Sequence, residues 1–369
     1  MELETQQYVT LSMKSLWRKK QLWFAIGPLV AVPLILACIF VFFVFTPAGS
    51  GKHVEVIEFT QGAPFRRIAT ALEEKKIITS AKLFVLLARF RGATAKVQAG
   101  PYQVNDSLTP KEILDRMVNG DVYVQRFAVP EGYSIYQIAE LLEGRRLFTK
   151  REFLRACVDR KLLADLGIPA RSVEGYLYPS TYNITPGTAP AQLIRQMVEQ
   201  FDKVFAQKFE PRLEAAGLSK RELLTMASMI EKEAVIPAER PLIASVFQNR
   251  LRTNMPLQSD PTAVYGVRAF AGAVSRHDIK RVSPYNTYQI KGLPPGPIGN
   301  PGSYAMEAVL NPARTGFYYF VAKKDGSHYF SATLEEHNRA VARYLKSAAS
   351  PAGPVAGYQN DRPTITGRR

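Results

Sequence analysis

Cysteine and histidine are the scarce reactive residues of this chain. Two cysteines occur in 369 residues, Cys38 inside an apolar run and Cys157 far from it, which excludes a disulfide framework. The four histidines, His53, His277, His328 and His337, are scattered. No HExxH or CxxC spacing is present, so neither a metal site nor a cofactor is expected. A phosphate-cradling loop and a Ser–His–Asp order are missing as well. Acidic residues are outnumbered, 32 against 48 basic, for a formal charge of +16. That excess would suit nucleic acid. Here the basic residues are spread along the chain and carry no nucleic-acid motif, so no nucleic-acid partner is expected.

What the sequence does have begins with "LWFAIGPLVAVPLILACIFVFFVF", Leu22 to Phe45, a run without a charge. About 20 apolar residues cross a bilayer as a helix, and Pro28 and Pro33 are tolerated as kinks there. Lys14, Arg18, Lys19 and Lys20 crowd its N-terminal side. The positive-inside bias then puts residues 1–21 in the cytoplasm and everything after Phe45 outside. A cleaved signal peptide is the alternative; its apolar region is shorter, about 7–15 residues. The expectation is a single-pass anchor at residues 22–45 in the cell (inner) membrane, with an extracytoplasmic, periplasmic working part.

The exported part reads as α+β. "VEVIEF" alternates as a strand, "PFRRIATALEEKKII" and "SAKLFVLLARF" read as helices, and Ser80 caps the second. "TPKEILDRMVNG" is a helix with Thr109 as cap, Pro110 first and Gly120 at its end. An internal echo follows. "QGAPFRRIATALEEKKIITSAKLF" (Gln61–Phe84) aligns without gaps on "EGYSIYQIAELLEGRRLFTKREFL" (Glu131–Leu154). Gly62, Ile68, Ala69, Leu72, Glu73 and Thr79 meet Gly132, Ile138, Ala139, Leu142, Glu143 and Thr149. One strand–turn–helix unit is used twice, and it resembles a small wall-binding module of the LysM type; a pair of packing units without a ligand is the plainer reading. The expected divisions are paired αβ modules over 54–155, a mixed α+β catalytic domain over 156–346 and a disordered tail over 347–369.

From Arg171 the texture changes to aromatic, Gly- and Pro-rich stretches such as "VEGYLYPSTYNITPGT". The next long feature is a helix that ends in "SMIEKEAVIPAER". Ser219 and Glu222 form a capping box at its start. At 100° per residue Leu223, Leu224, Ala227, Ile230, Ala234 and Val235 share a side, and Glu231 falls among them. Glu233 falls opposite, with Met226 and Met229. Desolvation on an apolar side raises a carboxyl pKa, and a protonated carboxylic acid is what a glycosidic oxygen needs as proton donor. The alternative is that Glu231 is a buried ion-pair partner of an arginine such as Arg240 or Arg250. Downstream, "FQNRLRTNMPLQSDPTAVYG" and "SPYNTYQIKGLPPGPIGNPG" set amide, hydroxyl and phenol groups in irregular segments, which suits recognition of sugar hydroxyls. A hairpin with Asp325-Gly326 at its turn and a closing helix, "LEEHNRAVARYL", complete the reading.

These stretches together, from about Val54 to Leu345, closely resemble the endolytic murein transglycosylases, the MltG or YceG-like family. The resemblance implies an enzyme that cuts the β-1,4 bond between N-acetylmuramic acid and N-acetylglucosamine in nascent peptidoglycan strands. It leaves 1,6-anhydromuramic ends and terminates strand elongation beside the peptidoglycan synthases. It puts the catalytic carboxyl on Glu231, acting first as acid and then as base. Glu174, Gln258, Asp260, Thr262, Asn286 and Tyr288 are the candidates for positioning substrate. The rival readings are a muramidase-type hydrolase of the same bond, needing a second acid such as Glu174 or Asp260, and a non-enzymatic wall-binding scaffold.

Overall fold

Side-chain caps set where the helices begin. Ser80, Thr109, Ser134, Thr149 and Ser219 each accept from the backbone N–H three residues on, satisfying a donor the helix itself leaves free. In the last four the Glu or Gln at that third position bonds back to the cap backbone, closing the capping box read for Ser219 and Glu222. The computed structural model describes residues 29–60, 62–267 and 273–345. They divide into two compact units, one reaching to Gln125 with Ile184–Gly187 added, the other comprising Arg126–Asn183 and the chain from Thr188 onward.

The first unit contains α1 (29–45), β1 (Val54–Phe59), α2 (Phe65–Glu74), α3 (Ala81–Phe90), β2 (Gly100–Asn105) and α4 (Pro110–Asn119). β1 and β2 are antiparallel, with Val54 opposite Asn105 and Phe59 opposite Gly100. Leu72, Ile77, Phe84, Tyr102, Ile113 and Leu114 form the core beneath them. The end of α1 belongs to that core, because Phe43 and Val44 are buried in it and Phe40 packs against it. Among the described residues no helix is long and apolar enough to cross a membrane. The expected anchor, Leu22–Phe45, lies outside the described residues over 22–28, as do the expected cytoplasmic stretch 1–21 and tail 347–369.

The second unit runs through β3 (Gln125–Ala128), α5 (Ile135–Gly144), α6 (Lys150–Cys157), α7 (Arg160–Asp165), β4 (Thr181–Ile184), α8 (Pro190–Lys208), α9 (Glu210–Ala216) and α10 (Lys220–Glu233). It continues with α11 (Arg240–Arg252), α12 (Asp260–Val264), α13 (Arg276–Lys280), α14 (Ser303–Leu310), β5 (Tyr319–Ala322), β6 (His328–Ser331) and α15 (Leu334–Tyr344). β3 pairs with β4, and β5 with β6 in the expected hairpin, Tyr319 opposite Ser331. α10 is the central element, packed on α11, α12 and α14. Every residue from Leu223 to Ile230 is buried. The helix ends at Glu233, so Val235, expected on the buried side, lies beyond it and is exposed.

The sequence echo is a structural echo. In both copies a strand, two helices and a returning strand follow in order, with α7 added before the return in the second, and the returning strand pairs with the first. Gly62 and Gly132 both take left-handed backbone (φ +82° and +76°), and so do Lys76 and Arg146 (φ +58° and +57°). Leu72 and Leu142, which align, are both fully buried. The copies belong to different units, the second sharing its unit with α10. Removing either leucine side chain should cost about 2–5 kcal/mol. Hydrogen exchange should localise the damage: Leu72→Ala speeds exchange in the first unit, Leu142→Ala in the second.

Candidate active site

α10 ends on two carboxylates, and each meets a different set of partners. Glu231 does not sit in a purely apolar wall, as its periodicity suggested. Its side chain is 4% exposed, and Oε1 accepts from Arg240 Nη2 at 2.7 Å. Oε2 accepts from the backbone N–H of Gly302 at 3.0 Å. The arginine alternative is therefore what the fold contains, with Arg240 as the partner. Arg250 is occupied elsewhere: its guanidinium donates to the carbonyls of Tyr318 and Leu257 at 2.6 and 2.7 Å.

Two backbone segments must come close for this to form. Gly132 N–H donates to Asn300 O at 2.7 Å, and Asn300 N–H to Tyr133 O at 3.0 Å, knitting the turn before α5 to the segment before α14. A Cβ on Gly132 would stand 3.1 Å from Glu231 Cγ, and φ there is +76°, so glycine is needed on both counts. Ser228, one turn before Glu231, accepts from Ile298 N–H at 3.0 Å and ties the same segment to α10. Beside the pair stands Glu131, with Oε2 3.7 Å from Arg240 Nη2. Its carboxyl is pushed up, first by burial and then by the charge of Glu231, with Arg240 pulling the other way. Lys232 donates to Gln137 at 2.7 Å; burial lowers its pKa to about 8 against the pull of Glu174 and Glu231.

Glu174 lies inside the unit. It accepts from Ile135 N–H at 3.1 Å, Tyr265 Oη–H at 2.9 Å and Asn300 Nδ2 at 3.0 Å. Asn300 also accepts from Gly175 and Leu177 N–H at 2.8 and 2.9 Å, so this side chain and Glu174 together lock the aromatic 171–178 stretch to α5. Desolvation raises Glu174 to about 7, the hydrogen bonds and Lys232 opposing it.

Glu233 heads a second knot. Ser259 Oγ–H donates to it at 2.5 Å, and burial pushes its carboxyl up to about 7, Ser259 and Arg250 opposing and Asp260 adding. Asp260 is exposed at the first position of α12 and accepts from Tyr288 Oη–H at 2.6 Å. Tyr288 N–H donates to Asn286 Oδ1 at 3.1 Å. Asn286 is buried, and its amide donates to the carbonyls of Asp278, Ile279 and Arg281 at the end of α13. Thr262, also buried, meets the Thr287 hydroxyl at 2.8 Å. Gln258 is exposed in left-handed backbone (φ +50°), its N–H held by Thr287 O at 3.1 Å. Four candidates, Asp260, Thr262, Asn286 and Tyr288, thus belong to one bonded framework with Glu233. Asp260, Gln258 and the half-buried Tyr288 face out, while Thr262, Asn286 and Glu174 hold the frame. Among the described residues no group of His, Cys, Asp and Glu could hold a metal ion.

Sequence reading passed over Glu131 and Asn300. One signal for Glu131 was present: in the echo it aligns with Gln61, so the copy that shares a unit with α10 alone has the acid. Glu174 offers a test of the buried network. Its carboxyl keeps its proton up to about 7 in the fold, well above the ordinary glutamate value of 4.5. The unfolded chain therefore releases that proton first, and stability falls as pH rises from about 4.5 through about 7. The loss is on the order of 3 kcal/mol. Urea unfolding across this range should show the decline in the parent, and Glu174→Gln should lessen it, leaving the share of Glu233, which burial raises in the same way.

Residues 57–343 match the model of the YceG-like family. An endolytic murein transglycosylase of Bacillus subtilis is 34% identical over 307 residues, 79% of this chain and 85% of that protein. One from Streptococcus pneumoniae D39 is 30% identical over 332 residues, 81% of this chain and 60% of that protein. A crystal structure of a yceG-like protein from Listeria monocytogenes superposes with a TM-score of 0.55 at 35% identity, over 79% of this chain and all of that one. The stretch 57–343 matched by the family model holds Glu231 and its partners: the chain belongs to the YceG-like family.

Proposed function

We propose that the chain is an endolytic murein transglycosylase, cutting the N-acetylmuramic acid–β-1,4–N-acetylglucosamine bond within nascent peptidoglycan strands. The observation that carries this is the Glu231 carboxyl, fixed at the end of a buried helix between a guanidinium and a backbone N–H. Glu231 in its acid form gives its proton to the glycosidic oxygen as the bond from C1 breaks. The carboxylate so formed takes the proton of the muramic C6 hydroxyl, and O6 closes on C1. The products are a 1,6-anhydro end and a free 4-hydroxyl, with no water consumed. One rigidly held carboxyl suffices, in contrast with the paired carboxylates of hydrolytic glycosidases. Asp260, Gln258 and Tyr288 supply outward groups for sugar hydroxyls and N-acetyl groups, and the buried candidates keep them in place.

A muramidase-type hydrolysis needs a second carboxyl and a held water. Glu174 is sealed among its own donors, so this reading rests on Asp260 or Glu131. A wall-binding scaffold needs neither. Digestion of purified peptidoglycan separates the three by product mass: anhydro ends for the transglycosylase, reducing ends for the hydrolase, no products for the scaffold. Glu231→Gln should lower cleavage by about 10²–10⁴-fold, the usual worth of a positioned proton donor. Parental rates in that variant would remove Glu231 from the chemistry.

The strand–helix–helix–strand echo supports LysM-like modules that bring the enzyme to glycan. The apolar run continued by α1 supports a single-pass anchor in the inner membrane, with the N-terminus cytoplasmic and the peptidoglycan synthases as neighbours. Strand termination follows from that placement. Because Phe40, Phe43 and Val44 pack in the first unit, a chain cut before Phe40 should cleave purified peptidoglycan at the parental rate, yet fail to shorten strands in cells. A cut after Phe45 should lower the melting temperature of the first unit as well.

A further inference from the structure

Arg240 poses a problem for a proton donor. Its side chain is 10% exposed, and its guanidinium does not give up its charge in a protein. A buried cation left without an anion costs several kcal/mol. The Glu231–Arg240 contact at 2.7 Å joins opposite charges, while the reaction proposed above begins with Glu231 carrying a proton. Protonating it takes the anion away from Arg240 unless a second one stands ready.

Glu131 is that second anion. Its Oε2 is 3.7 Å from the same Nη2 that bonds Glu231. Closing this gap to a charge-assisted bond takes a shift of about 1 Å. Its carboxyl also lies over the α-carbon of Gly302, the residue whose N–H holds the other oxygen of Glu231: a Cβ at Gly302 would overlap the Glu131 carboxyl. The two acids share one cation and one stretch of backbone. Glu131 is 44% exposed, so it can move and exchange its hydration, while Glu231 cannot. The charged groups around the pair are Arg240 from α11, Lys232 from α10 and the two acids, with α14 offering the Gly302 N–H.

We infer that Glu131 is a positioning residue that takes over the Arg240 guanidinium when Glu231 holds its proton, so that the acid form of Glu231 exists without stranding a buried cation. When the carboxylate returns, Arg240 swings back to it. The inference rests on Glu231 as the acid.

The test is the pH dependence of anhydro-end formation on purified peptidoglycan, measured with the full chain. Glu131→Gln removes the alternative anion and the neighbouring negative charge. Its alkaline limb should move down by about one pH unit, with about tenfold less activity above it and the acidic plateau kept. Glu131→Asp keeps the charge and should hold the limb close to the parent. Gly302→Ala reaches the same point by another route. Gly302 has φ −79°, which alanine adopts without strain, but its methyl would push Glu131 aside, so the limb should move as in Glu131→Gln. It also keeps the test alive if the Gln variant folds poorly. An unmoved limb in Glu131→Gln or in Gly302→Ala, whether activity is intact or uniformly lowered, overturns the inference. Glu231→Gln run alongside separates the two levels: if it still cleaves, the acid assignment itself has failed; if it is dead while the limb stays fixed, only the role of Glu131 has.

Discussion

An ion pair between two helix ends is the constraint on which the site depends. The C-terminal end of a helix carries partial negative charge and its N-terminal end partial positive charge. Glu231 lies in the last turn of α10, and Arg240 is the first residue of α11. Each sits against the field of its own helix, and both are nearly buried. Alone, either would be expensive. Paired at 2.7 Å across the α10–α11 turn, each corrects the other. The Gly302 N–H, at the start of α14, adds a third helix end whose polarity does favour the carboxylate. The demand for glycine at 132 and the knitting of the 130–134 and 297–302 segments follow from bringing these ends together.

The two acids of "IEKE" lead into separate frameworks. Glu231 belongs with Arg240, Glu131 and the Gly302 backbone. Glu233 belongs with Ser259, Asp260 and, through Tyr288, Asn286. The first is a cluster of opposite charges, and the second is a network of hydroxyl, phenol, amide and carboxyl groups that reaches the surface at Asp260. Lys232 stands between them in sequence but reaches Gln137 on α5, so the second echo copy is tied to the helix that bears both acids.

Much of this was legible in the residues. The spacing of Leu223, Ala227 and Ile230 put Glu231 on the packed side, and Ser219 with Glu222 fixed the start of α10. The repeat of Gly62 at Gly132 and of Leu72 at Leu142 marked a duplicated unit that the backbone repeats down to its left-handed residues. The partners of Glu231 were not legible in the same way. Periodicity describes one helix against an unspecified apolar wall. It cannot say that a guanidinium and a backbone N–H from distant segments occupy that wall, and Arg240 was named only as one of two arginines. Glu174, a candidate for positioning substrate, lies in an aromatic stretch without helical periodicity, and nothing in that stretch tells that Asn300 and Tyr265 draw it inside.

The burial of Phe43 and Val44 in the core of the first unit has a mechanical meaning. A domain tethered through a flexible linker samples a hemisphere of positions and finds its target by search. Here the helix ends within the fold it carries, and Phe40 rests against Phe90 with ring centroids 5.8 Å apart. The joint is a stalk without a swivel. α1 and the first unit therefore turn as one body, and a force applied along the helix passes into the core of the module instead of being absorbed at a joint.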